Sequence, residues 1–156
     1  MSDRGLTHVA LPVSDLEASL AFYERYAGLR VVHRRQDEAS GSAVAWIGDG
    51  THPFVVVLIQ ASKVEHPLLP IAHLGVGCAS REEVDERARR AREAGLSVLG
   101  PTDSPPPVGY WVLISDPDRH TLELSHGQEV RRTVASSQGA EPLGRTGAQA
   151  GSSRQS

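Results

Sequence analysis

At 156 residues the chain is long enough for one ordinary domain and too short for two independent ones. A formal charge of -3 and a pI near 6.1 give no basic footprint for nucleic acid, and the single cysteine, Cys78, excludes an internal disulfide or a multi-cysteine zinc site. Apolar residues make up 39% of the chain but aromatics only 4%, so aliphatic side chains and alanine must build the core.

Met1-Ser2-Asp3-Arg4 leads directly into a strand, without the apolar stretch of a signal peptide. The longest apolar run, 54–59, is far too short to cross a membrane, so a cytoplasmic location is expected. The strand starting at Thr7 is followed by a helix over Leu16, Leu20 and Tyr23, with Ser14 and Glu17 at capping-box spacing and Gly28 as its stop. Strands at 31–35, 42–48 and 54–60 complete a first β-α-β-β-β unit. A second unit repeats the order. Its first strand holds His73, and its helix carries Val84, Ala88 and Ala91 behind Ser80 and Glu83, with Gly95 as the stop. Strands at 96–99, 110–115 and 121–126 follow.

The repeat is visible in the residues themselves. Thr7-His8-Val9-Ala10-Leu11 returns as Ala72-His73-Leu74-Gly75-Val76, and Ala27-Gly28-Leu29-Arg30-Val31 as Ala94-Gly95-Leu96-Ser97-Val98. One domain over 1–127 is therefore expected, with modules at about 5–61 and 71–127 and a linker at 62–70. The stretch 128–156, rich in Ser, Gly, Gln, Ala and Arg, is read as a disordered tail.

Alternation decides where the polar groups point. His8 shares its strand face with Ala10 and Pro12, His73 with Gly75 and Gly77, and Glu123 with Thr121 and Ser125, each opposite the bulky aliphatic residues. The repeat also works as a ruler, since an offset of about 66 carries Glu123 back onto Val57. Two imidazoles and a carboxylate suit Fe(II), Mn(II), Zn(II), Co(II) or Ni(II) and leave positions open for substrate oxygens. A single strand histidine is more often a hydrogen-bonded structural residue, but recurrence at the same place in both copies favours ligands. His33, His52, His66, His120 and His126 have no repeat mates and are read as surface or rim residues. Val57, Tyr110 and Trp111 are candidates for the substrate pocket, with core packing expected for one of the two aromatics. Arg34, Arg35 and Asp37 are either an anion-binding group or a solvated cluster.

The segment His8-Val9-Ala10-Leu11-Pro12-Val13-Ser14-Asp15-Leu16, with Ala21-Phe22-Tyr23 and Gly28-Leu29 after it, resembles the opening of glyoxalase, bleomycin-resistance and dioxygenase domains. Asp116-Pro117-Asp118-Arg119-His120-Thr121-Leu122-Glu123 is similar to the closing motif of the same vicinal oxygen chelate superfamily. The resemblance implies an α+β fold in which two βαβββ modules form an open U-shaped mixed sheet around a divalent metal ion. It implies a homodimer, with pairing of modules within or between chains left open, and a small-molecule substrate bound through neighbouring oxygens. His8, His73 and Glu123 are then the metal ligands, while no acid-base residue is assigned. Val57 stands where glyoxalase I has an acidic ligand. Leu113 stands where extradiol dioxygenases have a tyrosine, and Ser104, Pro105 and Pro106 where they have a histidine. Arg119 stands at a usual turn glycine. A metal-dependent enzyme is expected, with a metal-free sequestering protein of the bleomycin-resistance kind as the alternative.

Overall fold

In the computed structural model, which describes residues 3–137, the repeat in the sequence becomes a repeat in space. The first unit is β1 (His8–Val13), α1 (Leu16–Ala27), β2 (Arg30–Gln36), β3 (Ala43–Gly48) and β4 (Val55–Gln60). The second is β5 (Leu74–Gly77), α2 (Arg81–Glu93), β6 (Val98–Ser104), β7 (Gly109–Ser115) and β8 (Thr121–His126). Each unit forms a four-stranded mixed sheet, ordered β1-β4-β3-β2 and β5-β8-β7-β6, with only the β1/β4 and β5/β8 pairs parallel. The fold is α+β, and β1 and β5 each lie at a sheet edge.

Helix positions follow from local chemistry. Leu16, Leu20, Tyr23 and Ala27 recur at helical spacing on α1 and are buried. Gly28 ends the helix in the left-handed region, at φ 69, where a β-carbon would be strained. The cap at the other end is Asp15, which accepts from the Ala18 amide at 3.0 Å, and not Ser14. Ser14 is engaged elsewhere, since its amide and hydroxyl both donate to Asp118 of the second unit. On α2 the expected device is present. Ser80 Oγ accepts from the Glu83 amide at 3.2 Å, and Glu83 Oε2 reaches back to the Ala79 amide at 2.6 Å.

The two units share one core. Leu11, Val13, Ile47 and Leu58 of the first sheet pack with Tyr23 and Phe22, and the cluster continues into Val84, Ala88, Ile114, Leu122 and Leu124. A buried polar network crosses the same boundary. Tyr23 Oη donates to Asp116 Oδ2 at 3.0 Å, and Asp116 Oδ1 accepts the amides of Asp118 and His120. His120, expected at the rim, is fully buried. Its Nδ1 accepts from the Leu68 amide at 3.0 Å and its Nε2 donates to the Pro12 carbonyl at 2.8 Å, which fixes the tautomer and ties linker, β1 and β8 together.

One element departs from expectation. The sequence reads 128–156 as a disordered tail, yet α3 (Val130–Ser137) forms within it, and just before it the Glu129 amide donates to the Pro107 carbonyl. Val130 and Val134, one helical turn apart, are the apolar pair that signals it. Residues 138–156 lie outside the described residues.

Candidate metal centre and cleft

The register of the two sheets aligns the candidate residues. In the first, Ala10 pairs with Val57 and Val57 with Trp46; in the second, Gly75 pairs with Glu123 and Glu123 with Leu113. Val57 and Glu123 therefore occupy equivalent positions, each on the strand beside and two residues along from its histidine. The alternation read from the sequence holds as well. Leu11 and Val13 are buried while His8, Ala10 and Pro12 are exposed, and His73, Gly75 and Gly77 lie on the open face of β5.

His73 and Glu123 come together, with Nε2 3.5 Å from Oε2. Two ligand atoms each about 2.1 Å from one ion stand roughly 3.0–3.5 Å apart at ordinary coordination angles. The second-sphere contacts suit that role. Since the Pro70 carbonyl can only accept, the 3.2 Å contact to His73 Nδ1 puts a proton there and turns Nε2 toward Glu123. Glu123 is only 7% exposed, and its other oxygen accepts from Gln128 Nε2 at 2.6 Å. No arginine or lysine pairs with it among the described residues. Ser125 faces the same way one step along β8, and its buried hydroxyl has no partner among the described residues.

His8 does not join them. Among the described residues of one chain, no three His, Cys, Asp or Glu side chains come close enough to hold an ion. His8 instead lies in a cavity of about 530 Å³ on the open face of the first sheet, lined also by Ala10, Arg35, Trp46, Val57 and Ile59. Its Nδ1 is 3.0 Å from Thr7 Oγ1, and its Nε2 has no hydrogen-bond partner among the described residues.

The other candidates separate cleanly. Trp111 points to the cleft side with its indole N–H donating to Ser104 Oγ at 3.0 Å. Tyr110 turns the opposite way, as strand alternation demands, donates to Asp85 of α2 and lies under Arg81, so it is not a pocket residue. Arg34 likewise leaves the cleft for Glu17 of α1, whereas Arg35 stays on the cleft face beside Asp37. His52 belongs to the β3–β4 turn, paired with Asp49 at 2.6 Å. Cys78 is half-buried, and desolvation pushes its thiol above the usual range, in keeping with packing rather than reactivity. Sequence reasoning missed Trp46 and Gln128. Trp46 sits in an all-apolar strand, AVAWIG, where alternation gives no polar marker of the open face.

Residues 5–124 match the family model of the Glyoxalase/Bleomycin resistance protein/Dioxygenase superfamily. The chain belongs to that superfamily. An uncharacterized Pseudomonas aeruginosa protein is 40% identical over 126 residues, covering 79% of this chain and 89% of that one. The lactoylglutathione lyase of Salmonella typhimurium is 27% identical over 136 residues, covering 81% and 96%. Among solved structures, the fosfomycin resistance protein FosX of Listeria monocytogenes, crystallised with Mn(II) and a dihydroxypropylphosphonic acid, superposes with a TM-score of 0.63 at 21% identity, covering 85% of this chain and 99% of that one. Against the superfamily's closing motif, Arg119 holds the place of the turn glycine and adopts φ 72, the only positive φ of a non-glycine among the described residues. Among those residues no helix is long and apolar enough to cross a membrane.

Proposed function

We propose that this protein is a divalent-metal-dependent enzyme of the superfamily, acting on a small oxygen-rich substrate, with His8, His73 and Glu123 as ligands. The carrying observation is Glu123: a buried carboxylate faced by the Gln128 amide and the His73 imidazole, with no arginine or lysine beside it among the described residues. A buried carboxylate needs a positive partner, and a divalent ion held jointly with His73 would supply that charge. In that role His73 Nε2 and Glu123 Oε2 hold the ion, while Pro70 and Gln128 orient them. A bound divalent ion would act as a Lewis acid toward neighbouring substrate oxygens.

The same reading makes the centre a joint property of two copies. Among the described residues of one chain His8 and the His73–Glu123 pair stand apart, yet they mark equivalent ends of β1 and β5, one edge strand of each sheet. Large apolar side chains are exposed beside both, with Leu6 86% and Ile71 96% accessible. An unpaired edge flanked by apolar residues favours pairing with another copy. His8 of one protomer then completes the pair of its partner, in a two-fold dimer with two centres.

A metal-free sequestering role has one observation in its favour, the apolar floor around Trp46. It gives no reason for a buried carboxylate beside an imidazole nitrogen. Metal analysis of purified protein beside a His73→Ala variant decides between them. Near-stoichiometric metal that the variant loses is expected, and equal metal in both ends the enzymatic reading.

A further inference from the structure

His8 stands at one corner of the cavity on the first sheet, and the rest of its floor is built for something else. Across the first sheet the residues facing the cleft form rows. One row is Ala10–Val57–Trp46–His33 and the next is Pro12–Ile59–Val44–Arg35. Along the sheet between His8 and β2 the floor is the apolar set Ala10, Val57, Ile59 and Trp46, while Asp3, Thr7 and His52 line the rim of the cavity near His8. Trp46 is 38% exposed there, with the His33 ring packed on it at 4.9 Å between centroids. An indole left open on a sheet face, beside aliphatic side chains and in a cavity of about 530 Å³, offers a stacking shelf of the size that takes a drug-sized molecule.

The shelf ends in one cation. Arg35 is the diagonal neighbour of Trp46 across the β2–β3 pair, a separation of roughly 7–8 Å between backbones. Its Nη1 donates to Asp37 Oδ2 at 3.1 Å. Asp37 is mostly occupied with its own turn, where Oδ1 accepts the amides of Ala39 and Ser40 and the Ser40 hydroxyl. The carboxylate thus steadies the guanidinium, whose remaining donors meet no other acceptor among the described residues. A planar guanidinium fork is suited to a carboxylate.

We propose that the occupant of this cleft is a flat, apolar molecule of two or three rings bearing a single carboxylate. Its rings lie on Trp46, its carboxylate meets Arg35 and its opposite, oxygen-bearing end points to His8. The inference rests on the functional reading above and names the substrate class for it. The backbone span from His8 to Arg35 covers three strand spacings across and four residues along the strands, roughly 20 Å, and after side-chain reach it leaves roughly 10 Å, about the length of two fused rings with a substituent at each end. A peptide-like thiol cofactor would set polar amides on Val57, Ala10 and Ile59 and leave the indole face without a ring to stack on it. A small phosphonate would leave the indole shelf wet.

Calorimetric titration with 6-hydroxy-2-naphthoate, 2-naphthol and S-methylglutathione tests this, each with and without chelator. The naphthoate is expected to bind most tightly and to keep measurable affinity in chelator. Trp46→Leu is expected to weaken it fivefold to tenfold or so. Arg35→Gln is expected to weaken the naphthoate about tenfold while leaving 2-naphthol unchanged. Equal naphthoate affinity in both variants and the parent, or tighter binding of S-methylglutathione, overturns the proposal. Either result would do so whatever the metal content, so the ring site fails separately from the metal centre.

Discussion

Glu123 and Gln128 are bound to each other across the end of β8, with the amide Nε2 donating to Oε1 at 2.6 Å and Oε2 left facing His73. Gly127, at φ 82, lets the chain turn back so that Gln128 reaches the carboxylate from the C-terminal side. The contact holds one oxygen of a buried carboxylate in place and so fixes the direction of the other. Such outer contacts set ligand orientation, and their loss commonly costs about 10–100-fold in metal affinity. Gln128→Ala is therefore expected to weaken Co(II) binding by about tenfold or more, with a melting temperature near that of the parent in chelator. Unchanged affinity in an absorption titration would show that the amide only packs.

Sharing of the centre between copies makes a quantitative demand. A His8→Ala protomer and a Glu123→Ala protomer are each unable to build a complete centre alone. In a mixed dimer one centre lacks both residues and the other has all three. Random exchange makes half the dimers mixed, so about a quarter of the parental metal capacity should return on mixing. Ligands converging within one chain would give no recovery. Equilibrium dialysis after mild denaturation and co-refolding reads the difference.

What the sequence made legible follows from what kind of interaction fixes each feature. The equivalences of His8 with His73 and of Val57 with Glu123 came from counting along a repeat, and strand register preserves them because alternation is a local property of the backbone. The capping spacing points to Ser14, but Asp15 caps α1 because Asp118, more than a hundred residues away, takes the Ser14 side chain. His120 is hidden for the same reason: its partners are the Leu68 amide and the Pro12 carbonyl, which no spacing rule brings near it. The choice between Tyr110 and Trp111 stayed open in the sequence, since adjacent aromatics must point oppositely but nothing local says which faces α2. Separation of His8 from the other two ligands is a matter of how whole modules pack, beyond the reach of periodicity.

The Tyr23–Asp116 bond bears on stability at high pH. Burial first, then the neighbouring Asp116 carboxylate, holds the Tyr23 phenol far above its ordinary value near 10, so it stays protonated in the folded state. The stabilisation this represents is complete below pH 10 and is lost as pH rises above it, because the unfolded tyrosine can then ionise and the folded one cannot. Tyr23→Phe should cost about 1–2 kcal/mol at pH 8 through the lost hydrogen bond. The gap between parent and variant should then shrink by about 1.4 kcal/mol per pH unit above pH 10. Urea unfolding at pH 8, 10 and 11 measures it; a constant gap would mean that the phenol ionises in the fold.

Arg119 sits in the turn between β7 and β8 at φ 72, with its amide donating to the Asp116 carbonyl at 3.0 Å. A side chain in the left-handed region costs about 1–2 kcal/mol, partly offset by the extra freedom that glycine would gain in the unfolded chain. Arg119→Gly should therefore raise stability by roughly 0.5–1 kcal/mol, readable as a higher urea midpoint at unchanged slope. A lower midpoint would mean that the guanidinium makes a contact worth more than the strain.

Val57 offers the strongest test of the cleft's symmetry. It pairs with Ala10 as Glu123 pairs with Gly75, and His8 precedes Ala10 by two residues as His73 precedes Gly75. A carboxylate at position 57 would thus stand to His8 as Glu123 stands to His73, reaching the same shared centre from the opposite protomer. Val57→Glu is expected to add a fourth ligand and tighten divalent-ion binding by about an order of magnitude, since each added anionic ligand strengthens a hard-cation site. It should also abolish naphthoate binding, because the new charge lies in the apolar floor beside Trp46. In chelator the variant should melt lower than the parent, the uncompensated carboxylate being only partly solvated at a position that is 8% exposed. Added metal should then restore the difference. A variant that binds metal no more tightly, and melts lower with and without it, would mean that position 57 does not face the ion that His8 helps to hold.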